Sequence, residues 1–186
     1  MFRKNLFRIA VFTVGIGFIL GVLAFAYAYF TVKVPDPNAF VNSQSTIIQY
    51  ADGSEIGRLG SENRQIVKLA NIPLTVRHAV MAAEDRNFYK ESAVSPTGIL
   101  RALFNNLRGG SLQGGSTITQ QYAKTAFLTQ NRTISRKIKE IVIAMKLQTQ
   151  MSKDQILENY LNTIWFGRGA YGVQTASEVY FGRTVD

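Results

Sequence analysis

The sequence predicts a mainly helical domain with one short β-hairpin, preceded by a single N-terminal transmembrane helix. Three observations carry that prediction. An uncharged apolar run extends from Ile9 to Val32, apolar residues flank a tight-turn signal at Asp52-Gly53, and three- and four-residue apolar spacings succeed one another from Ile72 onward. With 186 residues and 46% hydrophobic content, the chain has enough for one ordinary core plus an extra segment. It contains no cysteine, which excludes disulfides and thiolate metal sites.

Arg3, Lys4 and Arg8 fall within residues 1–8, a short tail whose positive charge assigns it to the cytoplasm. The run over 9–32 exceeds the roughly 20 apolar residues that cross a bilayer's hydrocarbon core. It reads as a retained anchor with the bulk of the chain outside. Tyr27, Tyr29 and Phe30 gather near its outer end, where amphipathic rings suit the interface. Ala24, Ala26 and Ala28 also offer a cleavage pattern, but a signal core usually has about 7–15 apolar residues, fewer than this run. Residues 33–45 hold two prolines and several polar side chains and read as a linker to a domain over 46–186.

Within that domain, "TIIQYADGSEIGRL" predicts the hairpin, because a tight turn favours Gly at positive φ. Val76, Ala79, Val80 and Ala83 predict an apolar stripe on a helix over 75–88. Ile99, Leu100, Leu103, Phe104 and Leu107 mark one side of a second helix over 96–107, ended by Gly109-Gly110. Ile134, Ile138, Ile141 and Met145 predict the core stripe of a third helix over about 133–150. Arg132, Arg136, Lys139 and Glu140 fall opposite together with Ile143, which suits a lined cleft better than a plain solvated face. Ser152 and Gln155 form a capping-box signature before a helix carrying Ile156, Leu157, Tyr160, Leu161, Ile164 and Trp165. Gly167, Gly169 and Gly172 break it, and a last helix is predicted over 173–181.

The net charge is +9, of which +5 remains beyond Val34. The segment from Lys124 to Lys146 alone carries that +5, with six cations (Lys124, Arg132, Arg136, Lys137, Lys139, Lys146) against Glu140. Such a segment suits an anionic partner. Few aromatic residues interleave it, and neither a GxxxxGK[ST] loop nor a GxGxxG turn is present, so nucleic acid and nucleotides are poorly matched.

Candidate chemistry rests on three places. Glu84-Asp85 ends an otherwise apolar helix; adjacent carboxylates repel, and the repulsion raises the proton affinity of at least one, as a general base requires. A solvated charged pair is the bland alternative. Glu140 has Arg136 and Lys137 four and three residues before it, so its ionised form is favoured. It is suited to orienting those cations, holding a divalent metal, or forming a simple surface ion pair. In "GGSTITQQYAK" (114–124), two glycines permit close approach, Ser116, Thr117 and Thr119 open a helix, and Gln120, Gln121 and Lys124 follow on its next turns. That array suits sugar hydroxyls beside a phosphate, or merely a capped helix with a polar surface. His78, the sole histidine, has no companion ligand.

Five stretches in order, "EDRNF" (84–88), "GGSTITQQ" (114–121), "RKIKE" (136–140), "KDQILENYLN" (153–162) and "RGAYGVQTASEVYFGR" (168–183), resemble the motifs of the bacterial peptidoglycan glycosyltransferases, glycosyltransferase family 51. That family includes the N-terminal halves of class A penicillin-binding proteins and the monofunctional transglycosylases. The resemblance covers about residues 72–183 and implies a lysozyme-like helical fold with a membrane-proximal cleft. It implies polymerisation of lipid II into β-1,4 glycan with release of undecaprenyl pyrophosphate, at the cell membrane and in the service of cell-wall biogenesis. It further implies Glu84 as general base and Glu140 on the leaving-group side, with a divalent metal, magnesium or manganese, and no organic cofactor. Asp85, Phe88, Arg101, Ser116, Thr119, Gln120, Gln121, Lys124, Arg132, Arg136 and Lys137 are the implied substrate-binding positions. The implied partners are lipid II, the growing glycan chain, membrane lipid and other cell-wall synthesis or division proteins, with no nucleic acid.

The chain departs from the family pattern at Glu91, where histidine is usual, at Ala93 and Ser95, where glycine and aspartate are usual, and at Arg183, where lysine is usual. The family's domain ordinarily continues past the position of Asp186, which implies a C-terminally truncated domain here. Two other functions compete with the leading one: a truncated module that binds lipid II or a partner without turnover, and a lysozyme-like glycan hydrolase.

Overall fold

The computed structural model describes residues 2–34, 46–53, 55–59, 63–108, 114–128 and 133–186. Helix α1 (Phe2–Thr31) contains the apolar segment Arg8–Thr31, 24 residues with a mean hydropathy of 2.5 and no burial within the protein. At 1.5 Å per residue it is long enough to cross a bilayer. Its outer end is docked on the domain. Val32 and Val34 pack against the core, and the Lys146 ammonium donates to the Val32 carbonyl at 2.7 Å and lies 5.1 Å from the Tyr29 ring centre.

The hairpin is present as β1 (Thr46–Gln49) and β2 (Glu55–Leu59), antiparallel with Ile48 opposite Gly57 and a register irregularity between Ile48 and Gln49. Gly53 has φ +86°, the conformation that its turn demanded of the sequence. A second pairing had no sequence signal: β3 (Asn63–Arg64) runs parallel to β4 (Ala170–Tyr171). Two residues per strand are too short to show alternation.

The helices are α2 (Leu74–Glu84), α3 (Pro96–Leu107), α4 (Ile118–Phe127), α5 (Ile134–Gln150), α6 (Lys153–Thr163) and α7 (Val173–Phe181). Helix α4 is central and packs on both α5 and α6. Ile118 and Tyr122 from α4, Ile143, Ala144 and Leu147 from α5, and Ile156, Leu157 and Leu161 from α6 form the core, joined by Ile72 and Phe88. Three hydroxyls start three helices by accepting backbone N–H groups: Thr117 from Gln120, Thr133 from Arg136, and Ser152 from Gln155 in a complete capping box.

Three sequence expectations are corrected. Helix α2 stops at Glu84 rather than continuing to Phe88, because the chain turns there and inserts Phe88 into the core. Of its expected stripe, Val76 and Val80 are half-buried while Ala79 and Ala83 are exposed. On α5 the expected stripe is not the innermost one: Ile134 is 83% exposed, and Glu140, Ile143, Ala144 and Leu147 face inward. The helix lies between α4 and the end of α1, so both of its sides are apolar and spacing alone could not rank them. Finally, α6 ends at Thr163, which leaves Trp165 exposed beyond it. On α3, the apolar side chains Ile99, Leu100 and Phe104 are exposed.

Candidate active site

Glu84 is the last residue of α2, and the turn after it is fixed from two sides. Toward α4, the Asp85 carboxylate accepts the Ile118 N–H at 3.2 Å, and the Thr117 hydroxyl donates to the Ala93 carbonyl at 2.7 Å. Toward α6, the Tyr89 hydroxyl donates to Asp154 at 2.8 Å, while the Lys153 ammonium donates to the Glu91 carbonyl at 2.8 Å and sits 4.5 Å from the Phe88 ring centre. Phe88, 1% exposed, pins the turn from below, so its place is in the core and not on the substrate side. Burial, more than any other influence, raises the proton affinity of Asp85.

Held this way, Glu84 is exposed at the edge of a cleft of about 440 Å³ that is also lined by Asp85, Arg86, Arg101, Asn105 and Gly114. A smaller adjoining hollow is lined by Glu84, Glu91, Arg101 and Ser116. The side-chain amide of Gln121 donates to Glu84 Oε2 at 2.6 Å. Glu84-Asp85, Arg101 and Ser116, from three parts of the chain, therefore meet around one opening, with Gln121 bonded to Glu84.

The opening stretch of α4 is not all wall. Thr119 and Gln120 are buried behind it, which corrects their reading as a surface for sugar hydroxyls. Their side chains also form part of the interior's unsatisfied polarity: Thr119 Oγ1, Gln120 Nε2 and Arg136 Nε have no hydrogen-bond partner among the described residues. Ser116, Gln121 and Lys124 remain at least partly accessible.

Glu140 is 2% exposed and takes both neighbouring cations, Arg136 Nη1 at 3.2 Å and the Lys137 ammonium in a closer contact. Lys137 also donates to Ser116 Oγ at 2.8 Å and to Gln120 Oε1 at 3.4 Å. The cation pair is thus tied to the same α4 start that faces Glu84. The other basic residues disperse. Lys146 goes to the anchor, Lys124 and Lys139 are exposed, and Arg132 lies outside the described residues.

Both Glu140 oxygens are occupied by cationic donors, and among the described residues no three acidic or histidine side chains converge. This donor set does not fit a divalent metal, which needs several free oxygens.

The departures near Glu91 are accommodated locally. The Glu91 carboxylate accepts from the Asn87 amide at 3.2 Å, and the Ser95 hydroxyl first, then Asn87, Arg101 and Thr97, hold its proton affinity below the ordinary value. Ser95 caps α3 by accepting the Gly98 N–H at 2.9 Å, and Ala93 is buried in the core. Sequence reasoning missed Tyr160, Lys153 and Asp154 as supports of the site. Their only sequence signal was membership of "KDQILENYLN", where Tyr160 reads as one more core residue.

Comparison with known proteins places this geometry. Residues 52–186 match the family described as transglycosylase. The chain is 49% identical over 175 residues to penicillin-binding protein 1A of Mycolicibacterium smegmatis, covering 90% of this chain and 22% of that protein. It is 47% identical over 180 residues to penicillin-binding protein 1A of Mycobacterium tuberculosis, covering 94% and 22%. It is 41% identical over 181 residues to penicillin-binding protein 1A of Aquifex aeolicus, covering 95% and 25%. The chain therefore spans a quarter or less of the length of these relatives. An apolar N-terminal helix, a carboxylate at a cleft edge and a cation pair behind the same helix start occur here in a chain that belongs to the transglycosylase family.

Proposed function

We propose that this domain is a membrane-anchored peptidoglycan glycosyltransferase that polymerises lipid II into β-1,4 glycan and releases undecaprenyl pyrophosphate. The observation that carries the proposal is the linkage of two centres through one helix start. Glu84, at the cleft edge, accepts from Gln121, and Lys137 of the Arg136–Lys137–Glu140 cluster donates to Ser116 and Gln120 of the same stretch.

In this reaction the acceptor sugar's 4-hydroxyl attacks the donor's anomeric carbon as the bond to pyrophosphate breaks. Glu84 accepts the hydroxyl proton. The leaving oxygen gains negative charge, which Arg136 and Lys137 stabilise from positions held by Glu140 and Ser116. Glu140 holds that pair in place and offsets part of its mutual repulsion. Attack opposite the departing group inverts the anomeric centre. The exposed apolar side of α3 suits contact with membrane lipid, which keeps the cleft near a lipid-borne substrate. Arg3, Lys4 and Arg8 support a cytoplasmic N-terminus with the domain outside, and other cell-wall synthesis or division proteins are its natural partners.

The test is Glu84→Gln, assayed with labelled lipid II. The amide keeps the shape but accepts no proton, so polymerisation is expected to be lost while lipid II binding persists. Substantial glycan synthesis by this variant would exclude Glu84 as the base. Lys137→Met is expected to lower turnover about ten- to a hundredfold, more than it weakens donor binding, because the contact strengthens as the leaving group departs. Lys90→Ala, on the exposed side of the turn, is the matched control.

A further inference from the structure

We propose that Tyr160 is a positioning residue whose hydroxyl orients the Gln121 amide so that its NH₂ group, and not its oxygen, faces Glu84. The inference rests on the reading of Glu84 as the base. Three groups lie in series from core to cleft. Tyr160, 3% exposed on α6, donates to Gln121 Oε1 at 3.3 Å, and Gln121 on α4 donates through Nε2 to Glu84 Oε2 at 2.6 Å. An ionised carboxylate only accepts hydrogen bonds, so the amide atom facing it must be the nitrogen. The oxygen then points back into the α4–α6 seam, where it needs a donor, and the Tyr160 hydroxyl supplies one.

The surroundings sharpen the point. The seam between α4 and α6 is largely apolar, with Ile118, Leu157 and Leu161 fully buried, and the other hydroxyl in it, that of Tyr122, is itself bonded, accepting from the Asn159 amide at 3.2 Å. A phenylalanine at 160 would fill nearly the same volume without bringing a hydroxyl into that seam, and a buried hydroxyl is costly unless it is bonded. Burial first, and the Glu84 charge second, hold the Tyr160 proton in place, so the group remains a donor. Without it the amide is free to rotate, and its oxygen would repel the carboxylate it now supports.

The test uses the protein expressed from its full reading frame, reconstituted in vesicles with labelled lipid II. Tyr160→Phe is expected to lower kcat about three- to tenfold with little change in KM and a nearly unchanged unfolding temperature. Gln121→Ala removes the amide, so adding Tyr160→Phe to it is expected to cost no further activity. Equal losses from Tyr160→Phe in both backgrounds would mean that the hydroxyl acts by a route other than the Gln121 amide, and no loss in either would mean that the hydroxyl positions nothing. Both results overturn the inference. Glu84→Gln is run in parallel. If it is inert, either of those failures belongs to Tyr160 alone; if it polymerises, the base assignment falls and the positioning role falls with it.

Discussion

Asp85 and Glu91 belong to one short turn and respond to protons in opposite directions. Burial dominates at Asp85 and raises its proton affinity, with the Glu91 charge adding to the effect and the Ile118 N–H, Lys153 and the Asn87 N–H opposing it. Its contribution to stability is therefore full below the ordinary aspartate value of 3.8 and is lost as pH rises through the raised value. The Ser95 hydroxyl dominates at Glu91 and lowers its proton affinity. Its contribution is present above the ordinary glutamate value of 4.5 and is lost as pH falls through the lowered value. Asp85→Asn, which retains an acceptor for the Ile118 N–H, is expected to raise the unfolding temperature at neutral pH. Glu91→Gln is expected to lower it. Both differences should shrink in acid, and calorimetry between about pH 3 and pH 8 resolves them. A Glu91→Gln protein as stable as its parent at neutral pH would show that the Ser95 and Asn87 contacts contribute nothing.

Among the elements, what the sequence announced was set by local chemistry. The Asp52-Gly53 turn, the Ser152–Gln155 capping box and the full extent of α3 and α7 all follow from residues within a few positions of one another. What it concealed depends on distant packing. Residues 85–88 leave α2 because Phe88 has a place in the core, and α5 turns Glu140 inward because two cations and the start of α4 receive it there. The candidate site divides similarly. Glu84, Glu140, Arg136, Lys137 and Gln121 were legible as motif residues, whereas the burial of Thr119 and Gln120 and the support from Tyr160 exist only once α4 and α6 meet. Gly172 is a place where such packing leaves no latitude. Its φ is +82°, and a Cβ there would lie 2.8 Å from the Asn162 carbonyl oxygen. Asn162 in turn exchanges side-chain hydrogen bonds with the Val67 N–H and carbonyl. Gly172→Ala is expected to cost about 1–3 kcal/mol or more in denaturant unfolding. Gly169→Ala, with φ +73° but open space around it, carries only the backbone part and is expected to cost less. Equal costs would remove the steric argument.

For the molecule as a whole, the proposed function makes the relation between the N-terminal helix and the cleft decide how a lipid-borne substrate would be reached. The anchor does not end in free chain. The carbonyl at its outer end receives the Lys146 ammonium, the same ammonium lies over Tyr29, and Val32 and Val34 continue into the core. A cation at a helix C-terminus is favoured by the exposed carbonyls there, typically by about 0.3–1 kcal/mol. Lys146 lies on α5, six residues beyond Glu140, so the helix that contacts the end of α1 also carries the cation pair. A shift of that helix is therefore expected to reach α5 and the cation pair proposed to face the leaving group. Lys146→Met keeps the apolar stem and removes the charge, so the domain's unfolding temperature should change little. In detergent micelles, where substrate and enzyme orient freely, its rate should stay near the parent's. In vesicles, where the bilayer fixes the substrate's depth, the rate should fall about two- to fivefold, in proportion to the docking energy lost. Initial rates of lipid II consumption in the two settings measure this. A vesicle rate reduced no more than the micelle rate would mean that the anchor only tethers the domain and does not set the position of its cleft.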